Sequence, residues 1–218
     1  MDYYTNIIKK QKEIASMVLD GLEIICPWAR LAGGAPRDWF FDNYARDLDF
    51  YYCVDPSTTW HEQEAQLNKV LPKKLDLRTI GAWENIPTYN TMPGIKNIST
   101  YYASTIEFNE KIIKPEFRIQ LIRMNTKADL MNVVKDFAVS ISKVWWKNNT
   151  THTTDDFLLT IATKTMWLND GYSWHDPYCK KMSKRFPKYN KAINKDAVVS
   201  KALSKTLQSV RNEYKDNY

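Results

Sequence analysis

The sequence is short of cysteine, histidine and long apolar runs, and each shortage excludes a class of protein. Its three cysteines, Cys26, Cys53 and Cys179, are too few and too scattered for a disulfide framework or a zinc site. That makes a reducing cytoplasm the expected compartment. Its three histidines, His61, His152 and His175, stand far apart and lack the spacing of metal ligands. Nothing approaches the roughly 20 consecutive apolar residues of a membrane span, so no membrane partner is expected. Met1-Asp2-Tyr3-Tyr4 also lacks the basic-then-apolar layout of a secretion signal. What is present supports a packed core. The 218 residues are 44% hydrophobic and 13% aromatic, enough for one generous domain or one domain with a small helical appendage.

Charge is distributed unevenly. Residues 180–218 hold eleven Lys/Arg against three Asp/Glu, a net of +8, so the rest of the chain carries −2 of the overall +6. A basic segment on a nearly neutral body suits contact with a phosphate backbone, although the same lysines also suit the wet face of a helix. Between Tyr172 and Tyr189, aromatic residues interleave with Lys180, Lys181, Lys184, Arg185 and Lys188. These five are candidates for nucleic-acid contact, with plain helix packing as the alternative.

The periodicity predicts an amphipathic helix over 3–20, a buried strand Trp28–Ala32, a helix from Pro36 to Phe41 or Asp42 and a strand Arg46–Cys53. Thr59-Trp60-His61-Glu62 reads as a capping box opening a helix to Val70. Ile80–Asn97 reads as a long loop or irregular strands. Thr100–Phe108 and Phe117–Met124 read as a hairpin joined by Asn109–Lys111, followed by a helix from Thr126 to Lys135 and a strand Phe137–Trp146. Helices are expected from Thr153 or Thr154 through Leu168, over Asp176–Arg185, and over Tyr189–Tyr214. This order predicts a mixed α/β (α+β) core over residues 1–150 and a helical, basic part over 151–218.

Two short stretches carry the chemistry. In Leu31-Ala32-Gly33-Gly34-Ala35-Pro36-Arg37-Asp38 a glycine pair stands where a strand turns into a helix. Glycines there let backbone N–H groups approach phosphates closely, with the helix end favouring the anion. In Asp47-Leu48-Asp49-Phe50, residues two apart share a strand face, so Asp47 and Asp49 project together. Two neighbouring carboxylates repel unless a cation lies between them, and hard oxygen ligands favour Mg²⁺ arriving with substrate phosphates. The planar fork of Arg37 suits a phosphate or a carboxylate. Together these residues suit a nucleoside triphosphate and its metal ions.

GGAPRD followed by DLDF resembles the head motif of the DNA polymerase β-type nucleotidyltransferase superfamily, and is most similar to its CCA-adding and poly(A) polymerase branch. RIQLIR, a short helix and DFAVSISKVWW are similar to the back half of divergent members. The resemblance implies a nucleotidyltransferase-like mixed sheet flanked by helices. It implies that Gly33, Gly34, Arg37 and Asp38 bind the NTP substrate, and that Asp47 and Asp49 bind Mg²⁺ or Mn²⁺ for transfer to a hydroxyl acceptor. An RNA acceptor, including a tRNA 3′ end, is the expected partner. The superfamily normally completes its metal site with a third acidic residue on a later strand, and here Gln120 stands at that place. Glutamine carries no charge and is no general base. Glu116, Asp136 and Glu107 are substitutes, with Asp136 preferred as the start of a strand expected beside the catalytic one. A binding module without catalysis, or a toxin modifying a host RNA or protein, are the alternative readings. Trp145-Trp146 reads either as a base-stacking platform or as core.

Overall fold

The computed structural model describes residues 3–71, 73, 78–83, 94–102, 106–108, 111–113 and 118–202. The chain forms two compact units, residues 1–136 with 144–153, and residues 137–143 with 154–218. The division therefore falls three residues later than the expected 150/151 boundary, and 137–143, expected in the first part, belongs to the second.

The first unit is built on a seven-stranded mixed sheet. Helix α1 (Tyr3–Glu23) leads into β1 (Arg30–Ala32), α2 (Gly34–Phe40) and β2 (Asp47–Tyr52). Helix α3 (Trp60–Val70) and strands β3 (Arg78–Trp83) and β4 (Ile95–Tyr102) follow. A small hairpin of β5 (Ile106–Phe108) and β6 (Lys111–Ile113) then precedes β7 (Arg118–Met124) and α4 (Lys127–Asn132). Strands β8 (Val144–Lys147) and β9 (Thr150–Thr153) close the sheet. Its order is β3-β4-β7-β2-β1-β8-β9, with β2 and β7 parallel.

One sheet face is packed. Ile7, Ile14, Val18 and Leu22 of α1 are buried, as are Leu31, Leu48, Phe50, Leu121 and Trp146 of the strands. Trp39 of α2 meets Trp146 edge-on at 5.6 Å. The apolar stripe of α1 contains one polar residue, the fully buried Gln11. Its amide oxygen accepts from Trp39 Nε1 and the Ala45 N–H, both at 2.9 Å, while its Nε2 donates to the Ala45 carbonyl at 2.8 Å. Gln11 thus fixes the chain two residues before Asp47. At Gly21 an added Cβ would lie 2.2 Å from the Val70 carbonyl oxygen, so glycine sets how closely α1 and α3 approach. Thr59 and Glu62 form the expected capping box, and Thr126 with Asp129 forms a second. Arg123 is buried and donates to Gln63 Oε1 at 2.7 Å and to the carbonyls of Asp55 and Thr58. Cys26 and Cys53 are free and buried, with their sulfurs 3.7 Å apart.

The second unit contains the 3₁₀ turn Ser140–Ser142, α5 (Asp155–Thr163), β10 (Thr165–Met166), α6 (Pro177–Arg185) and β11 (Asn190–Lys191). Ser140 Oγ accepts from Thr160 Oγ1 at 2.7 Å and from the Trp167 N–H at 3.1 Å. The buried Lys143 ammonium donates to Asp156 at 2.7 Å and to Asn169 at 2.5 Å, and Lys195 pairs with Asp156 at 2.8 Å. Burial alone would raise the Asp156 pKa, but these two lysines hold it below the ordinary carboxylate range.

Several expected elements are corrected. Phe137–Trp146 is not one strand, because 140–142 turn to bond with Thr160 and Trp167; Val139 forms an isolated bridge to Leu168, and the strand itself is Val144–Lys147. The α5 helix ends at Thr163 rather than Leu168, since Lys164 adopts a left-handed conformation (φ 49°). Tyr189–Lys191 is not helical but includes β11, which pairs with β10, whereas residues 195–202 are helical. The expected Tyr189–Tyr214 helix beyond residue 202 lies outside the described residues. The partner of β7 in the expected hairpin is β4 itself, and Ile106–Phe108 pairs separately with Lys111–Ile113. Part of the expected Ile80–Asn97 loop is strand, while 84–93 lie outside the described residues.

Candidate active site

Strand β1 ends at Gly33, whose φ of 82° is open to glycine and strained for any other residue. Its N–H donates to the Val144 carbonyl at 2.9 Å, which ties the bend to β8. Gly34 then begins α2 and is partly exposed among buried neighbours. A Cβ placed on Gly34 would stand 3.8 Å from Asp47 Oδ1 and 3.9 Å from Arg37 Nη2. The glycine bend and the first aspartate are thus neighbours in space.

Asp47 and Asp49 are both partly exposed, while Leu48 and Phe50 between and beyond them are fully buried. Asp49 Oδ1 is closed off from solvent. The parallel register sets Asp47 beside Arg118 and Asp49 beside Gln120, and Gln120 in turn stands opposite Thr100 of β4. Paired residues share a face, so Gln120 occupies the place beside Asp49 that the resemblance assigns to a third acid. Arg118 was not singled out by sequence reasoning. Its only signal was its position two residues before Gln120 on an alternating strand.

Arg37 is buried, and its Nε and Nη2 both donate to Asp38 Oδ1, at 2.9 and 2.8 Å. The arginine fork is therefore turned on a neighbouring carboxylate, and Asp38 is buried with it. Asp136 is half-buried in the turn after α4, where its N–H donates to the Asn132 carbonyl at 3.2 Å. The strand it was expected to begin does not form: Val139 bridges Leu168, and β8, the strand that follows, pairs with β1 and β9 rather than with β2 or β7. Glu107 lies on the separate β5–β6 hairpin, opposite Ile112, and Glu116 lies outside the described residues. Among the described residues no group of three His, Cys, Asp or Glu side chains gathers.

The tryptophan pair divides between the two faces. Trp146 is core, whereas Trp145 is partly exposed and stacks on His152 at 5.1 Å with a 12° interplanar angle. Arg30 and Ala32 share one face of β1, and the register Arg30↔Tyr51 and Ala32↔Trp145 sets Trp145 on the face that carries Asp49. On α6 of the second unit, Lys180, Lys181 and Lys184 are exposed and Arg185 is half-buried, opposite the buried Cys179 and Met182. Lys188 is exposed just beyond the helix.

The donor set fits a hard divalent cation. Two carboxylate groups share a strand face beside the bare Cα of Gly34, and the Gln120 side chain on the adjacent strand carries a neutral carbonyl oxygen of the kind that serves as a third donor.

A mixed sheet whose first strand ends in a glycine bend, facing an Asp-x-Asp strand, defines the nucleotidyltransferase fold. The solved structures bear this out. A CCA-adding enzyme in complex with ATP matches with a TM-score of 0.53 at 12% identity, over 94% of this chain and 43% of that one. An apo CCA-adding enzyme matches with a TM-score of 0.52 at 12% identity, over 92% and 44%. The chain spans less than half the length of these structures. No family model matches it and no curated protein does. No described helix is long and apolar enough to cross a membrane.

Proposed function

We propose that this chain is a divalent-metal-dependent nucleotidyltransferase that moves a nucleotide from an NTP to a hydroxyl of RNA, including a tRNA 3′ end, and releases pyrophosphate. The observation that carries this reading is the approach of Asp47 to the bare backbone of Gly34, with Asp49 on the same face. Asp47 and Asp49 hold Mg²⁺ or Mn²⁺. Gly33 and Gly34 let phosphate oxygens approach the N–H groups of Gly34 and Ala35 at the start of α2. Arg37, paired with Asp38, stands near Gly34 without reaching into solvent and directs its N–H groups from a fixed position. A bound cation supplies charge neutralisation at the leaving pyrophosphate and alignment of the acceptor oxygen with the α-phosphorus. The exposed bases Lys180, Lys181, Lys184 and Lys188, with Arg185, hold the RNA backbone. The likeness in fold to a CCA-adding enzyme solved with ATP supports the NTP part of the reading. Three free cysteines suit a reducing compartment, the cytoplasm.

The neutral Gln120 beside Asp49 favours a second reading, a module that binds metal–NTP without transferring it. Incubation with each labelled NTP, Mg²⁺ or Mn²⁺ and total cellular RNA separates the two. Metal-dependent labelling lost in Asp47→Ala/Asp49→Ala supports transfer. Nucleotide binding with no labelled product under any condition supports the module. A labelled protein in place of RNA identifies a protein-modifying enzyme.

A further inference from the structure

Cys26 and Cys53 stand 27 positions apart in the chain and side by side in the fold. Their sulfurs are 3.7 Å apart and share a hydrogen bond, and the Cys53 N–H donates to Cys26 Sγ at 3.4 Å. Cys26 lies in the turn between α1 and β1, and Cys53 is the residue after β2. The antiparallel register Arg30↔Tyr51 brings those two chain positions together. Both are free thiols, Cys26 1% and Cys53 9% exposed. The transfer reaction uses neither sulfur.

A disulfide holds its sulfurs about 2.05 Å apart, so a closure of roughly 1.7 Å joins this pair. Each cysteine lies outside the paired residues of its strand, so side-chain rotation and the adjoining turn take up that movement without disturbing the β1–β2 register. The segment that such a bond closes, residues 27–52, contains β1, α2 and β2, and with them Gly33, Gly34, Arg37, Asp47 and Asp49.

We propose that Cys26 and Cys53 form a reversible modification site, a dithiol that peroxide oxidises to a disulfide stapling the segment that carries the candidate active site. One peroxide balances the step. The sulfur of Cys53, the more exposed of the two, attacks a peroxide oxygen. The O–O bond breaks, and the departing hydroxide leaves as water with the thiol proton. Cys26 then attacks the sulfenic sulfur of Cys53; the S–S bond forms, the S–O bond breaks, and a second water leaves with the Cys26 proton. The two thiols lose two electrons and the peroxide gains them. Burial, and then the adjacent Cys26, push the Cys53 thiol up to about 12, so at neutral pH the pair rests as thiols and the first attack is slow. The second joins atoms already side by side, which traps the sulfenic acid before it oxidises further. A thiol reductant restores the pair. This modification is independent of the proposed transfer reaction.

The test treats the full chain with hydrogen peroxide over hours, alkylates the remaining thiols in denaturant, and reads mass, digest peptides and a thermal melt. Two of the three thiols should be lost, one peptide pair should be joined through Cys26 and Cys53, and Cys179 should remain alkylated. The midpoint should rise by roughly 5–15 °C, because the closed loop restricts the unfolded chain, and dithiothreitol should return it. Cys53→Ser, its fold checked by a melt in reductant, should give neither the linked peptide nor the rise. Loss of Cys179 as fast as the pair overturns the site, as do sulfinic or sulfonic products in place of the linked peptide, linkage between chains, or a midpoint that does not rise. Survival of all three thiols under peroxide that consumes free cysteine completely shows the pair to be inert packing.

Discussion

Replacing Gly34 by alanine separates the fold from the site more sharply than any other single change. The added methyl meets Asp47 Oδ1 at 3.8 Å and Arg37 Nη2 at 3.9 Å, which is ordinary contact distance. Gly34 is also absent from the residues with positive φ, so alanine takes its backbone conformation without strain. Alanine in a helix is more favourable than glycine by about 0.5–1 kcal/mol, less at a first position. The variant should therefore unfold at or slightly above the wild-type temperature, by at most about 2–4 °C for a chain of this size. Nucleotide binding should respond in the opposite direction. The methyl covers the backbone where phosphate oxygens are to approach, and each lost charge-assisted hydrogen bond costs about 1.5–3 kcal/mol. One such loss weakens Mg·ATP binding by roughly 10- to 150-fold. Calorimetric titration with Mg·ATP, paired with a thermal melt, reads both quantities on the same sample. A variant that melts normally and binds Mg·ATP with wild-type affinity would refute the assignment of the Gly34 backbone to phosphate.

Gly33→Ala provides the contrast, since φ 82° imposes about 1–3 kcal/mol of backbone strain, and the melt should fall whether or not nucleotide is present. Gln11→Leu strands the Trp39 indole N–H and both backbone groups of Ala45 in the core; unsatisfied buried groups cost about 1–3 kcal/mol each, so denaturant unfolding should show a loss of several kcal/mol, and an unchanged midpoint would show that the three groups find other partners. The lowered Asp156 pKa stabilises the fold above the unfolded carboxylate value of about 3.9, and this contribution fades as pH falls through the lower folded value. Asp156→Asn should flatten that acid limb and destabilise the protein at neutral pH by about 3 kcal/mol, because Lys143 stays buried without its counter-ion; equal acid sensitivity in both proteins would contradict it. Gln120→Glu sets a third carboxylate beside Asp49 and should tighten nucleotide-free Mn²⁺ binding by roughly tenfold, measured by electron paramagnetic resonance; no change would mean that residue 120 does not face the cation.

The local parts of this structure were legible in the sequence, because each is settled within a few residues. The stripe of α1, the Thr59–Glu62 box and the alternation that sets Asp47 and Asp49 together all depend on near neighbours. So does the glycine bend, whose φ at Gly33 no other residue adopts cheaply. What stayed hidden depends on distant partners. Ser140 and Ser142 look like strand residues until Thr160, Trp167 and Tyr178 take their hydroxyls and the neighbouring backbone. Gln11 breaks an apolar stripe and looks like an accident until Trp39 and Ala45 arrive. Cys26 and Cys53 look scattered because nothing local announces that β1 folds back on β2. Arg118 gains its interest only from the β2–β7 register, which no pattern in either strand specifies. The third-acid problem was visible, but its suggested answers were not, because Asp136 and Glu107 were judged by strands that pair elsewhere or do not form.

The excursion of residues 137–143 means that no single cut yields two intact halves. The backbone passes from one unit to the other after Asp136, returns at Val144 and leaves again after Thr153. A protein shortened at Thr153 would retain the sheet with both of its last strands, yet it would also carry Val139 stripped of its bridge to Leu168 and Ser140 stripped of its bond from Thr160, with the apolar Ile141 beside them. Such a fragment should be sticky rather than merely smaller. Separating the sheet unit from the basic unit thus calls for replacing that seven-residue detour, not for choosing a better place to truncate.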